Sequence, residues 1–178
     1  MPMNAKPCPL PADSLLLSYQ ANGDFVDCYK TQIAGTVTLA QFISAFYTTP
    51  LFKLERFILQ SMINKPSTDD QVRQLANSEV TAFAAWTVEV RNDEQLLMCD
   101  FQKKTRSWFM LKRNDVADNT DLYFGSAVVA RVDPRSGKSS MGSGFKALLG
   151  FHTLYSKLLL NAARKHLNQS QNGGLNQL

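Results

Sequence analysis

From Phe145 onward, Lys146, Gly150, Thr153, Lys157, Asn161, Arg164 and Asn168 recur at helical spacing and make one narrow polar stripe. Leu148, Leu149, Phe151, Tyr155, Leu158, Leu159 and Ala162 fill much of the remaining circumference. A helix over 145–167 with so wide an apolar arc has to lie deep against another layer, and this restricts the fold more than any other feature of the chain. That layer is written just upstream. After Asn77 the pattern changes to period two, and residues 81–91, 94–101, 106–113 and 121–132 read as four strands. Two-residue turns at Asn92-Asp93 and Lys103-Lys104, and a polar loop through Asn119, make the connections short, which implies antiparallel pairing.

The first half supplies one more strand and several helices. Residues 24–33, Asp-Phe-Val-Asp-Cys-Tyr-Lys-Thr-Gln-Ile, are aromatic and β-branched enough to predict a strand, which Gly35 ends. Thr38 with Gln41, and Thr68 with Gln71, have capping-box spacing, in which the threonine oxygen takes a free helix N–H and the glutamine returns to the cap. Helices therefore start at both, the first carrying Phe42, Ile43, Phe46 and Tyr47 on its apolar face and the other running over about 68–76. Between them Pro50 suits the first turn of a helix over about 50–64 that buries Leu51, Leu54, Ile58 and Met62. Residues 1–13 hold four of the seven prolines and predict an extended or disordered arm; 14–168 form a single domain, 169–178 a frayed polar tail.

If the two short turns fix the register, Trp86, Cys99 and Trp108 stand side by side on one face with Val88, Leu97 and Met110, and Phe101 lies next to Arg106. That face is expected to be the core. The other face, with Glu89, Leu96 and Leu111, Thr87, Met98 and Phe109, Asp100 and Ser107, is mixed and is expected to be wet or only partly covered.

Composition narrows the class. At 178 residues and 44% apolar the chain can close one core without staples. No stretch approaches the roughly 20 apolar residues of a membrane span, and the proline-punctuated N-terminus lacks a signal-peptide h-region. Cys8, Cys28 and Cys99 are too few and too far apart for a disulfide framework and fit a reducing cytoplasm. A formal charge of +4 invites a nucleic-acid partner, but the basic residues are scattered and interrupted by acidic ones, as on an ordinary solvated surface.

Several motifs fail on spacing. Gly137-Lys138-Ser139 would need a glycine where Val132 stands to be a phosphate-binding loop, which leaves only a weaker anion site at the start of the last helix, with Lys138. His152 and His166 lie on one helix about 21 Å apart, so they cannot share a metal, and neither a metal site nor a cofactor is implied. Met141-Gly-Ser-Gly144 is not a nucleophile elbow, and Cys99 between two tryptophans reads as inert core. Glu89 and Asp100 could serve as an acid and base only if both entered one closed pocket.

The order of strand, consecutive helices, strand meander and long C-terminal helix resembles the helix-grip architecture of the START-like superfamily over residues 24–167. Phe46-Tyr-Thr-Thr-Pro-Leu-Phe-Lys-Leu-Glu-Arg56, Tyr123-Phe-Gly-Ser-Ala-Val-Val129 and Leu149-Gly-Phe-His-Thr-Leu-Tyr-Ser156 are similar to an uncharacterised bacterial family placed in that superfamily. The resemblance implies an α+β fold, a curved antiparallel sheet gripping the last helix. It assigns no catalytic residue. Five strands are read here where such domains have six or seven, so one is missing, displaced to 14–19, or produced by splitting the last strand.

On that fold the expected function is a binding module that encloses a small lipophilic molecule between sheet and C-terminal helix, with Trp86, Arg106, Trp108, His152 and Tyr155 lining the pocket. Trp108→Ala would then empty the pocket and leave the fold intact. The alternatives are a cyclase- or hydrolase-type enzyme using Glu89, Asp100 or His152, and an interaction domain pairing through the open sheet face.

Overall fold

A computed structural model of the protein describes residues 4–53, 67–132, 139–140 and 145–175, with the last helix in side-chain detail over 153–171. In chain order the elements are β1 (Lys6–Pro7), α1 (Leu17–Ala21), β2 (Phe25–Ala34), α2 (Leu39–Tyr47), α3 (Asp69–Ala76), β3 (Ala82–Phe83), β4 (Trp86–Arg91), β5 (Gln95–Asp100), β6 (Thr105–Asn114), β7 (Asn119–Val128), β8 (Arg131–Val132), β9 (Ser139–Ser140) and α4 (Phe145–Leu175). Seven strands form one open antiparallel sheet in the order β1-β2-β7-β6-β5-β4-β3, and β8-β9 make a separate ribbon. The class is α+β, and the sheet with its C-terminal helix is compatible with a helix-grip fold. Both capping boxes form, at Thr38 and Thr68. The helix expected over 50–64 begins at Pro50, and beyond residue 53 it lies outside the described residues.

The additional strands come from two places. One is the arm, whose Lys6 and Pro7 pair with Lys30 and Tyr29. The other is the segment 81–91, which breaks at Ala84, where φ is +51°, into β3 and β4. Residues 14–19 are not a strand; they lead into α1.

The expected two-residue turns are longer, because polar side chains take up their backbone donors. Asn92 Oδ1 accepts from the amides of Glu94 (3.0 Å) and Gln95 (2.7 Å), and Asp100 Oδ1 accepts from those of Lys104 (2.7 Å) and Thr105 (3.0 Å). Cys99 therefore opposes Arg106, and Leu97 opposes Trp108. A bulge between Val88 and Val90 then moves β4 by one residue, so Trp86 opposes Asp100. A one-residue slip exchanges faces. Trp86 and Trp108, expected side by side, stand on opposite faces of the sheet.

The face toward α2, α3 and α4 carries Tyr29, Ile33, Leu96, Met98, Phe109, Leu111, Leu122 and Phe124. Phe42 and Phe46 of α2 enter it edge-on. Phe46 meets Phe109 with ring centroids 4.8 Å apart and Phe124 at 4.6 Å, and Phe42 meets Phe109 at 5.6 Å. Each such ring contributes about 1.5–3 kcal/mol when removed from water. Of α4, the buried stripe is Ser156, Leu159, Leu160, Ala163 and Leu167, whereas Leu154 and Leu158 are exposed. The helix lies on the sheet by one face and is not enclosed over the wide arc expected. It also runs on to Leu175, through residues expected to fray.

The other face is covered too. Trp108, Leu97, Met110, Tyr123 and Ala127 are buried beneath Cys8, Leu10, Leu15, Leu16 and Tyr19 of the arm and α1. Gly125 makes this close packing possible, since a Cβ there would stand 2.5 Å from the Asp27 carbonyl oxygen and 3.0 Å from the Trp108 ring. The sheet is therefore the middle of three layers.

Candidate functional site

Along β2 the side chains facing α4 are Asp27, Tyr29, Thr31 and Ile33, so the helix-side face turns from apolar to polar toward the start of the strand. The next row across the sheet continues that change, because Asp27 opposes Ser126, which opposes Ser107. A carboxylate placed inward on a strand needs donors. Asp27 Oδ1 accepts from the Ser126 amide at 2.9 Å and from the Ser126 hydroxyl at 2.6 Å, and Oδ2 accepts from the Tyr29 phenol at 3.1 Å.

The C-terminal helix completes this polar row from above. The Thr153 side chain hydrogen-bonds the Tyr29 phenol, and the Lys157 ammonium lies 5.6 Å from the centre of its ring. Burial, the Thr153 bond and the Asp27 carboxylate together set the Tyr29 phenol at about 12, with burial the largest influence, so it is a protonated donor at neutral pH. One turn along, Ser156 is 1% exposed on the same helix face as Leu159 and Leu160, and its hydroxyl has no hydrogen-bond partner among the described residues. A buried hydroxyl with nothing to bond costs about 1–3 kcal/mol, and such a group in a native fold calls for an occupant.

Among the described residues Asp27 accepts from three donors, which orient its carboxylate. The chain Thr153–Tyr29–Asp27–Ser126 ties the helix to two strands at the border of the Phe46–Phe109–Phe124 cluster. Beside it, Ser156 offers one donor and one acceptor to a polar group whose apolar body would lie on the aromatic rings.

A groove of about 510 Å³ lies farther along α4 against α2 and α3, lined by Ala40, Ser44, Thr48, Arg73, His166 and Leu167 among others. His166 Nδ1 stands 3.5 Å from Thr48 Oγ1. That hydroxyl already donates to the Ser44 carbonyl at 2.7 Å, which leaves it to accept from Nδ1–H.

Of the residues expected to share one pocket, the four described ones are divided between the two faces of the sheet. Trp86 and Tyr155 pack at the margin of the helix-side core. Trp108 is wholly buried on the opposite face, where its indole donates to Gln95 Oε1 at 2.8 Å. Arg106 is on that face as well, with its Nε 2.6 Å from Glu89 Oε2 and 2.8 Å from the Tyr19 hydroxyl. Thr87 opposes Cys99 and Cys99 opposes Arg106, so Glu89, two residues along β4 from Thr87, falls on the Arg106 side. Asp100 is engaged in the β5–β6 turn and Glu89 is paired with Arg106, so these two carboxylates do not meet as an acid and base pair. The His152 side chain, Lys138 and the segment 141–144 lie outside the described residues.

Asp27, Ser126 and Ser156 were not singled out from the sequence. The signal that could have found them is Asp27 itself, a carboxylate in phase with Tyr29, Thr31 and Ile33 on the inward side of a strand. Among the described residues no group of His, Cys, Asp or Glu is placed to hold a metal ion, and no helix is long and apolar enough to cross a membrane. No family model, no curated protein and no solved structure matches this chain, so the seven-stranded sheet and its C-terminal helix describe its fold without a named relative.

Proposed function

We propose that the protein is a START-like binding module that holds a small lipophilic molecule between the sheet and the C-terminal helix. The observation that carries this reading is the unpartnered, buried hydroxyl of Ser156 at the boundary between a polar row and an aromatic layer. A ligand with one polar group on an apolar body matches that boundary. Its polar group would bond Ser156, and its body would lie toward Phe46, Phe109 and Phe124. The fold analogy contributes the location and nothing about chemistry. The proposal includes a cytoplasmic setting, for which the three free thiols of Cys8, Cys28 and Cys99 are the support.

The test compares the mass of the purified protein under native and denaturing conditions. An excess mass that is lost on denaturation, and is absent from a folded Ser156→Phe variant, is the expected outcome. The variant replaces the buried hydroxyl with a ring. Equal masses in both conditions, together with binding of a fluorescent anilinonaphthalene probe that Ser156→Phe leaves unchanged, would refute the proposal.

A further inference from the structure

Cys8 and Cys28 are 20 positions apart in sequence, yet their sulfurs lie 3.3 Å apart. The arm brings them together. Beyond the Pro7–Tyr29 pair the ladder continues for one more step, and the Cys8 amide donates to the Cys28 carbonyl at 3.0 Å. Directly opposed residues in such a ladder have Cα atoms about 5.5 Å apart, within the range of about 4.4–6.8 Å that a disulfide spans. The two thiols are unlike. The hydrogen bond from Cys28 holds the Cys8 thiol below its ordinary value, while that same contact and burial hold Cys28 above it. Cys8 is also the more accessible of the two.

We propose that Cys8 and Cys28 are a redox-responsive pair that closes to a disulfide by exchange with a low-molecular-weight disulfide and so fastens the N-terminal arm across β2. The Cys8 thiolate attacks one sulfur of oxidised glutathione, and a mixed disulfide forms as one glutathione thiolate leaves. Cys28 gives its proton to solvent and attacks Cys8 Sγ, expelling the second glutathione. Two protein thiols are oxidised and one glutathione disulfide is reduced to two thiols.

The arm gives this bond a consequence. Without β1, β2 would be the edge of the sheet and would present unpaired backbone groups. The same arm reaches α4, where the Ala5 amide donates to Asn161 Oδ1 at 2.8 Å. Oxidation turns a two-residue strand pairing into a covalent strap between the sheet edge and the segment that touches the last helix. Cys99 serves as an internal control, since it is buried in β5 and its thiol donates to the Asp100 carbonyl at 3.3 Å.

The experiment treats the full chain with oxidised glutathione, blocks remaining thiols with iodoacetamide under denaturing conditions, and maps the peptides without reduction. Expected are an intact mass lower by two hydrogens before blocking, a peptide joining Cys8 to Cys28, and an alkylated Cys99. Cys28→Ser should trap the Cys8–glutathione mixed disulfide, and Cys8→Ser should leave Cys28 largely unmodified. Amide exchange at residues 6–8 and 28–30 should slow in the oxidised wild type and not in either variant. Full alkylation of both Cys8 and Cys28 after treatment, or a bridge to Cys99, would overturn the proposal.

Discussion

Trp108 donates its indole N–H to the Gln95 side-chain oxygen at 2.8 Å, and the same oxygen accepts the Leu15 amide at 3.0 Å while the Gln95 nitrogen donates to the Asp13 carbonyl at 2.9 Å. One buried glutamine thus ties the centre of the sheet to the segment that covers it. Trp108 belongs to the clamp between arm and sheet, on the face away from α4. Trp108→Ala is therefore expected to cost about 3–5 kcal/mol of stability, read as a lower urea midpoint. Any molecule co-purifying with the remaining folded protein should be retained. A variant as stable as wild type, or one that folds normally but loses its bound mass, would contradict this placement.

Arg91 joins α3 to the sheet. Its guanidinium donates to the carbonyls of Leu75 and Ala76, both at 2.6 Å, in the last turn of α3, where the Leu75 carbonyl also accepts the Ser78 amide at 3.1 Å. Two parallel N–H groups on two adjacent carbonyls suit a planar fork, and a cation at a helix C-terminus is also favourable. Arg91→Ala should cost about 1–3 kcal/mol, since it removes the side-chain donor to the Ala76 carbonyl and leaves the Leu75 carbonyl with its backbone donor alone. Arg91→Lys should recover only part of this, because it restores the charge and not the fork. Chemical denaturation of the three proteins decides the matter, and equal stability of Arg91→Lys and wild type would show that the fork has no role.

What could be read from the sequence followed from periodicity and from local chemistry. The capping boxes at Thr38 and Thr68 formed because their partners are three residues away, and β2 ended at Gly35, whose φ is +71°. Register was not legible. Asn92 and Asp100 lengthened the turns by bonding backbone amides, and the bulge at Glu89 has no distinctive residue to announce it. The two-residue shift between β5 and β6 left Trp108, Leu97 and Met110 together on one face, which the arm covers, while the net one-residue slip in β4 set Trp86 and Val88 on the helix side with Phe109, Met98 and Leu111. The site was hidden for a related reason. Its row depends on β2 pairing with β7, a contact between strands about 100 positions apart that no local pattern specifies.

The polar row also sets how the fold responds to alkali. Tyr29 is held up to about 12, by burial first, and Tyr19 also to about 12, by burial and then by its hydrogen bond to the Glu89 carboxylate. In the unfolded chain both would ionise near 10. Between these values the folded state keeps protons that the unfolded state has released, so the slope of unfolding free energy against pH is negative across that window. Stability from these two phenols is fully present below about pH 10 and declines as pH rises toward about 12. Urea titrations at about pH 9 and about pH 11 should show the fall, and tyrosinate absorbance should show Tyr19 and Tyr29 ionising late, together with Tyr123, which burial also raises. Tyr29→Phe removes one of them, so its loss of stability over the same interval should be shallower than that of wild type. If wild type and Tyr29→Phe declined in parallel, the phenol would not be withheld from water beneath α4, and the link from Thr153 through Tyr29 to Asp27 would have to be abandoned.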